Sequence, residues 1–281
     1  MKGFARRLTV VPTLFLAFSL ALSACQRPQD LLGQIKSKGV VRVSTDPNYA
    51  PQSFVNAGGE FDGFDVDTAK EIARRLGVKL RLVTPEWDAI VAGNWRGQWD
   101  LSVGSMTITP ERQQFLLFSP PYYYTPAQFA ARADLANAIP TVDDFSGRLV
   151  CTGVETTYEK YLKGSLTLVG ESIQKQISGA KIITLSTEAE CVQAMQAGNK
   201  DIEGVLSAIT VIDDGIKSGA PIVKVGKPVF YEALAVAVDK SAPNSEGLVA
   251  AVSKIIEDMH KDGTLTKLSI KWYGVDLTIK Q

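Results

Sequence analysis

Histidine occurs once in the 281 residues, methionine four times and cysteine three times. Neither sign of charge is in excess, with 30 Lys and Arg against 30 Asp and Glu. Each shortage closes a class of function. A single histidine, His260, cannot supply a metal centre built on several imidazoles, and no nucleophile–base pair or metal-ligand cluster stands out elsewhere. His260 lies in an amphipathic C-terminal run and is expected at the surface. Balanced charge gives no reason to expect nucleic acid as a partner, because the phosphate backbone selects for basic surfaces. Low-complexity tracts and close internal repeats are absent. What remains is ordinary for a folded chain: 45% hydrophobic residues, enough for one large domain or two smaller ones.

The first 25 residues stand apart. MKGFARR is a basic start, and LTVVPTLFLAFSLAL is an apolar run rather short for a membrane span and broken by proline. LSAC closes it, and the whole resembles a bacterial lipoprotein signal. That resemblance implies a signal peptide over 1–24, cleavage before Cys25, acylation of Cys25, and a tether over 25–37 holding an exported body at a membrane surface. An uncleaved anchor helix is the alternative. Two cysteines then remain, Cys151 in a strand-like run and Cys191 in a helix-like one. An even pair in an exported chain invites a disulfide, whose loop of about 40 residues would be worth roughly 4 kcal/mol in the chain-entropy model. Two buried free thiols are the other reading.

Strand-like and helix-like segments alternate along the rest. GVVRVSTD, VKLRLVTP and DLSVGSM read as strands. Between them, DVDTAKEIARRLG reads as a helix with Val66, Ala69, Ile72, Ala73 and Leu76 on one stripe and Gly77 as its stop. EWDAIVAGNWRGQ reads as another helix. SPPYYYTPAQ, with three prolines, breaks this series, and Tyr122, Tyr123 and Tyr124 read as a surface strip beside a hinge. A strand FAARAD and a second alternating series follow, then a strand EALAVAVD and two C-terminal helices. The order predicts an α/β fold of two lobes with mainly parallel sheets. Ligands of such sheets bind beyond the carboxyl ends of the strands. Here those ends are STDPNYAP, VTPEW and VGSMT in one lobe, and CTGVETT, TLSTE and VLSA in the other. Facing one another, they would form a cleft for a small molecule.

Residues 104–112, GSMTITPER, place a cation where it is not wanted. Thr109 reads as an N-cap, Pro110 as the first helical residue, and Arg112 as part of the first turn, where the helix dipole is already positive. An anion is expected to answer it; a solvated surface arginine is the plainer alternative. TTYE, from Thr156 to Glu159, reads as a capping box opening a helix.

GFDVDTAKEIARRLG, SMTITPERQQFLLFSPPYYY, TDPNYAP and EALAVAVDK, in their positions along the chain, resemble the family 3 bacterial extracellular solute-binding proteins. The likeness runs from about Ile35 onward. It implies a type II periplasmic-binding-protein-like fold, with a first lobe over 38–126 and 233–281 and a second over 127–232. It also implies capture by closure of a small carboxylate-bearing solute, a polar amino acid or derivative, and its delivery to the permease of an ABC importer. No cofactor or catalytic residue is implied.

The resemblance assigns roles by position. Arg112 grips the ligand carboxylate through its planar fork. Thr107 and the backbone of Gly104 and Ser105 complete that site. Trp87 and Tyr49 wall the ligand side chain, and Asp46 meets a side-chain charge. Thr156 and Thr157, with the N–H groups of their helix, hold the same anion from the second lobe. Core packing for Trp87 and turn capping for Asp46 are the plainer alternatives. Two positions depart from the pattern. Glu155 stands where glycine is usual, and Ser207 where an aspartate would meet the ligand ammonium. Either Glu155, Glu203 or Asp46 substitutes for it, or the ligand lacks an α-amino group. A cyclohexadienyl-dehydratase-like enzyme on the same fold, and a binding protein that signals through a partner, are the alternative functions.

Overall fold

The structure is a computed structural model that describes residues 2–3 and 30–280. The expected signal segment beyond residues 2–3, Cys25 and the start of the tether lie outside the described residues. The described chain opens with α1 (Leu31–Lys38), capped by Asp30, whose carboxylate accepts the Gly33 N–H at 2.6 Å. Leu31 and Ile35 are buried. Residues 31–37 of the expected tether thus lie in a helix instead, because two apolar residues four apart share one helix face and enter the core.

β1 (Val40–Ser44) leads to a small antiparallel sheet of β2 (Asn48–Tyr49), β3 (Ser53–Val55) and β4 (Phe61–Asp62). α2 (Phe64–Leu76) buries the predicted stripe of Val66, Ala69, Ile72, Ala73 and Leu76 and ends at Gly77, φ 74°. β5 (Lys79–Val83), α3 (Trp87–Val91) and β6 (Leu101–Thr107) follow, then the 17-residue β7 (Leu116–Arg132). Next come β8 (Leu149–Gly153), α4 (Thr157–Leu162), β9 (Lys181–Leu185), α5 (Glu188–Gln196), β10 (Gly204–Ala208) and α6 (Ile209–Lys217). The 18-residue β11 (Ile222–Asp239) returns, and α7 (Ser245–Lys261) and α8 (Thr264–Tyr273) finish.

One sheet runs β5-β1-β6-β11-β7-β10-β8-β9. Its two ends are parallel, as the alternating order predicts. Its middle is antiparallel, where β7 and β11 pair with each other and, on their outer sides, with β10 and β6. These two strands change core partway along. β7 gives Tyr122 and Tyr123 to a core that draws on α1, α2, α7 and α8, and Ala127 and Phe129 to another that draws on α4, α5 and α6. β11 does the same in reverse, with Val229 and Phe230 in the second core and Leu234, Val236 and Val238 in the first. The fold is α/β and two-lobed, and the lobes are joined by this strand pair.

Three sequence expectations change. The helix expected after Thr109 is a three-residue 3-10 turn, Arg112–Gln114. Its cap forms, with Thr109 Oγ1 accepting the Arg112 N–H at 3.2 Å, but from Leu116 the chain pairs with β11 instead. A tertiary ladder outweighs weak local helix preference. SPPYYYTPAQ does not interrupt the strand; it lies within β7. Finally, Tyr122 and Tyr123 are not a surface strip but fully buried. Both rings pack on Phe64, at 5.8 and 4.9 Å, and their hydroxyls find partners inside.

Candidate functional site

Between the lobes lies a cavity with about 480 Å³ of atom-free space, part of it open to solvent. The first lobe lines it with Asp46, Tyr49, Trp87, Gly104, Ser105, Thr107 and Arg112. The second contributes Thr156, Thr157, Tyr158, Ser186, Thr187 and Glu188, and Glu232 comes from the crossing strand β11. Of the ten residues expected to bind ligand, nine are brought together here. Ser207 is the exception: it is buried in β10 opposite Gln128, and its hydroxyl does not line the cavity.

Arg112 is 5% exposed and enters the cavity from the 3-10 turn. One terminal nitrogen donates to the Thr107 carbonyl at 3.0 Å, and the other to the Glu155 carbonyl of the second lobe at 3.2 Å. The guanidinium stacks over Trp87, 5.2 Å from the ring centroid. Burial lowers its pKa to about 10, against the pull of nearby carboxylates including Glu232, so it stays charged at neutral pH. Two bonds leave about three N–H donors of the fork for a ligand. Trp87 closes the same corner, its indole N–H donating to the Glu155 carbonyl at 3.3 Å.

Ser105 is held in an uncommon conformation, φ 53°. Its N–H donates to Tyr122 Oη at 2.9 Å and its hydroxyl to Asp65 at 2.7 Å. Tyr122 in turn donates to the other oxygen of Asp65, and Tyr123 shares a bond with the Ser105 hydroxyl. Asp65 is fully buried at the start of α2, and burial pushes its carboxyl up to about 7 against these hydrogen bonds. At Gly104 an added Cβ would meet, its chain neighbours aside, nothing closer than Ser102 Oγ, at 3.9 Å. The bare backbone there leaves room to the cavity.

Asp46 lines the cavity and accepts the Asn48 N–H at 2.6 Å, the turn capping of the plainer alternative. Burial raises its pKa. Thr156 caps α4, accepting the Glu159 N–H at 3.3 Å and donating to the Gly153 carbonyl at 2.8 Å. The predicted capping box is only half made, because the Glu159 carboxylate turns to the N–H of Glu155 at 2.7 Å.

Glu155 adopts φ 55°, the left-handed conformation that suits the glycine expected at that position. Its carboxylate lies 3.8 Å from Lys160, and Glu203 pairs with Arg148 at 2.7 Å, away from the cavity lining. Of the three carboxylates expected to replace the missing aspartate, only Asp46 lines the cavity.

The sequence reading passed over two others. Glu188, at the start of α5, accepts the Gly153 N–H at 3.1 Å, and burial with repulsion from Glu232 pushes it up to about 7. Glu232, 1% exposed, accepts from Thr107 at 2.6 Å and from the hydroxyls of Thr157 and Tyr158. Burial raises its pKa, against those bonds and the attraction of Arg112. Both signals were present. Glu188 closes TLSTE, one of the strand ends where ligands are expected, and Glu232 is a lone carboxylate before the apolar run ALAVAV.

Other contacts join the lobes. Lys160 pairs with Glu111, Gln52 donates to Thr210 at 2.6 Å, and Thr187 donates to the Asn48 carbonyl at 3.0 Å. Away from the cavity, Cys151 of β8 and Cys191 of α5 form a disulfide. His260 is half-buried rather than at the surface, its Nε2 2.8 Å from the Pro121 carbonyl. Among the described residues no group of three or more His, Cys, Asp or Glu could hold a metal ion, and no helix is long and apolar enough to cross a membrane.

Comparison with known proteins places this geometry. The family described as bacterial extracellular solute-binding proteins, family 3, matches residues 41–275. The L-cystine-binding protein of Escherichia coli is 29% identical over 250 residues, 89% of this chain and 88% of its own length. An ancestral amino acid-binding protein, a precursor of cyclohexadienyl dehydratase, superposes with a TM-score of 0.74 at 32% identity, over 86% of this chain and 99% of the other. An amino acid ABC transporter substrate-binding protein from Streptococcus pneumoniae, bound to L-arginine, superposes with a TM-score of 0.73 at 27% identity, over 88% and 99%. The architecture is that of the type II periplasmic binding proteins.

Proposed function

Since this chain belongs to the bacterial extracellular solute-binding proteins, family 3, we propose that it is the capture component of an ABC importer for an amino acid. Arg112 carries this reading. It is buried between the lobes, bonded to both, with donors of its fork to spare. A ligand carboxylate bound there adds contacts that only the closed arrangement offers, and such a difference is what drives closure. Thr107, Ser105, Thr156 and Thr157 supply further polar atoms around the same space, and Trp87 and Tyr49 its walls. The lobe boundaries fall near residues 126 and 232, where both crossing strands change core.

Residues 1–24 act as a lipoprotein signal and Cys25 carries the lipid, which keeps the exported body at the membrane beside its permease. Metabolic labelling with a fatty acid tests this: wild type takes up label and Cys25→Ser does not. The protein binds rather than transforms its cargo. Incubation with prephenate or arogenate is expected to yield no product, and product formation would favour the dehydratase alternative.

A thermal-shift screen of the common L-amino acids and L-cystine identifies cargo. Calorimetric titration then compares wild type with Arg112→Ala. Loss of a two-point charged grip is expected to weaken binding on the order of 100-fold, with a smaller change in the unfolding midpoint. Equal affinity in the two proteins would overturn the assignment of Arg112.

A further inference from the structure

Glu232 sits where β11 passes from one lobe to the other. Its Oε1 accepts hydroxyls from Thr107 of the first lobe and Thr157 of the second, and its Oε2 accepts Tyr158. A carboxylate offers about four lone-pair directions, so the Oε2 atom keeps one. Among the described residues no Lys or Arg forms an ion pair with it; Arg112 acts on it only through space and is itself bonded to the Thr107 and Glu155 carbonyls. Glu188, the other fully buried carboxylate of the cavity, also lacks an ion pair there and feels the charge of Glu232. Buried carboxylates held by neutral donors alone are under-compensated, since a buried charge is costly unless paired. One guanidinium and two such carboxylates around one cavity are complementary to a solute with a carboxylate for the first and a cationic nitrogen for the second.

We propose that Glu232, on the crossing strand, receives the cationic nitrogen of the cargo, and that it selects ammonium-bearing carboxylates over plain ones. This inference rests on the capture function above. It also removes the difficulty raised by Ser207, because the compensating charge comes from a different strand. Recognition and closure become one event. A cation keeps Glu232 ionised, and an ionised acceptor strengthens its bonds to Thr107, Thr157 and Tyr158, which come from both lobes.

The test is calorimetric titration of wild type, Glu232→Gln and Glu188→Gln. The probes are L-glutamine and L-cystine, each beside its cation-free des-amino counterpart: glutaramate and dithiodipropionate. Wild type is expected to prefer the amino acid by on the order of 30-fold or more. Glu232→Gln should lose most of that preference, chiefly by weakening the amino acid, with Glu188→Gln showing a smaller loss. Wild type binding both members of a pair equally would overturn the proposal, and this arm needs no variant to fold. So would a Glu232→Gln protein that keeps the full preference while Arg112→Ala abolishes binding, which would leave the capture function intact. Wild type binding none of the common L-amino acids or L-cystine in the thermal-shift screen would overturn both.

Discussion

Glu155 occupies a conformation that glycine enters without a steric penalty. What the site takes from it is the backbone carbonyl, which accepts both Trp87 and Arg112. Its side chain adds a half-exposed, long contact to Lys160, of small value. Glu155→Gly is therefore expected to keep ligand affinity and to leave stability unchanged or raise it by up to about 1 kcal/mol, unlike most changes to glycine. Urea unfolding midpoints of the two proteins check this. Asp65 makes the opposite case. It does not line the cavity itself and is linked to it through Ser105, which does. Asp65→Ala leaves the Ser105 and Tyr122 hydroxyls short of an acceptor in a buried place, at a cost of about 1–3 kcal/mol. Unfolding midpoint and amino-acid affinity should both fall, and Asp65→Glu should not restore the affinity, because one added methylene displaces the acceptor.

At the scale of elements, the disulfide ties the strand β8 to the helix α5, joining two parts of the second lobe 40 residues apart. Each flanks a loop that lines the cavity, Thr156–Thr157 after β8 and Thr187–Glu188 at the start of α5. Removing the bond with a Cys151→Ala, Cys191→Ala double variant is expected to cost roughly 4 kcal/mol by the chain-entropy argument. Denaturant unfolding measures it, and an unchanged midpoint would refute the estimate. The long strands show how far element-level reading reaches. VGSMT and EALAVAVD were legible as strands from their apolar runs. That SPPYYYTPAQ and FAARAD form one strand with the preceding LLF was not, because prolines argue locally for a break and only the pairing with β11 shows that the ladder tolerates them.

For the whole molecule, the buried acids set an unusual pH dependence. Asp65 and Glu188 are each pushed up to about 7 from ordinary values of 3.8 and 4.5. Between those values the folded protein holds protons that the unfolded chain has released, so stability falls as pH rises through this window. The ligand-free protein should unfold at a higher urea concentration at about pH 5.5 than at about pH 8. The carboxyls held low by their partners, Glu71 and Asp262 at about 2 and also Asp67, Asp134, Asp144, Glu203 and Asp276, act only below their ordinary values of 3.8 and 4.5 and do not offset this. An equal or higher midpoint at the alkaline end would contradict the burial of these groups.

The sequence by itself carried the α/β alternation and offered Cys151 and Cys191 as a disulfide pair, whereas the expected lobe bounds and the roles expected of the first lobe's residues came from the family resemblance. The alternation is written in local chemistry, in helix stripes of period 3.6 and apolar strand runs, but the helix dipole expected to oppose Arg112 does not form, because that segment is only a three-residue 3-10 turn. Tertiary structure decided what depends on residues far apart in the chain. Leu31 and Ile35 were drawn from a tether into a core, and Tyr122 and Tyr123 from a surface into one. Ser207 was left outside the cavity, while Glu232 was brought against Thr107 and Thr157, residues 125 and 75 positions away. No local pattern reports such a meeting, because a carboxylate's role is fixed by which donors and charges surround it after folding.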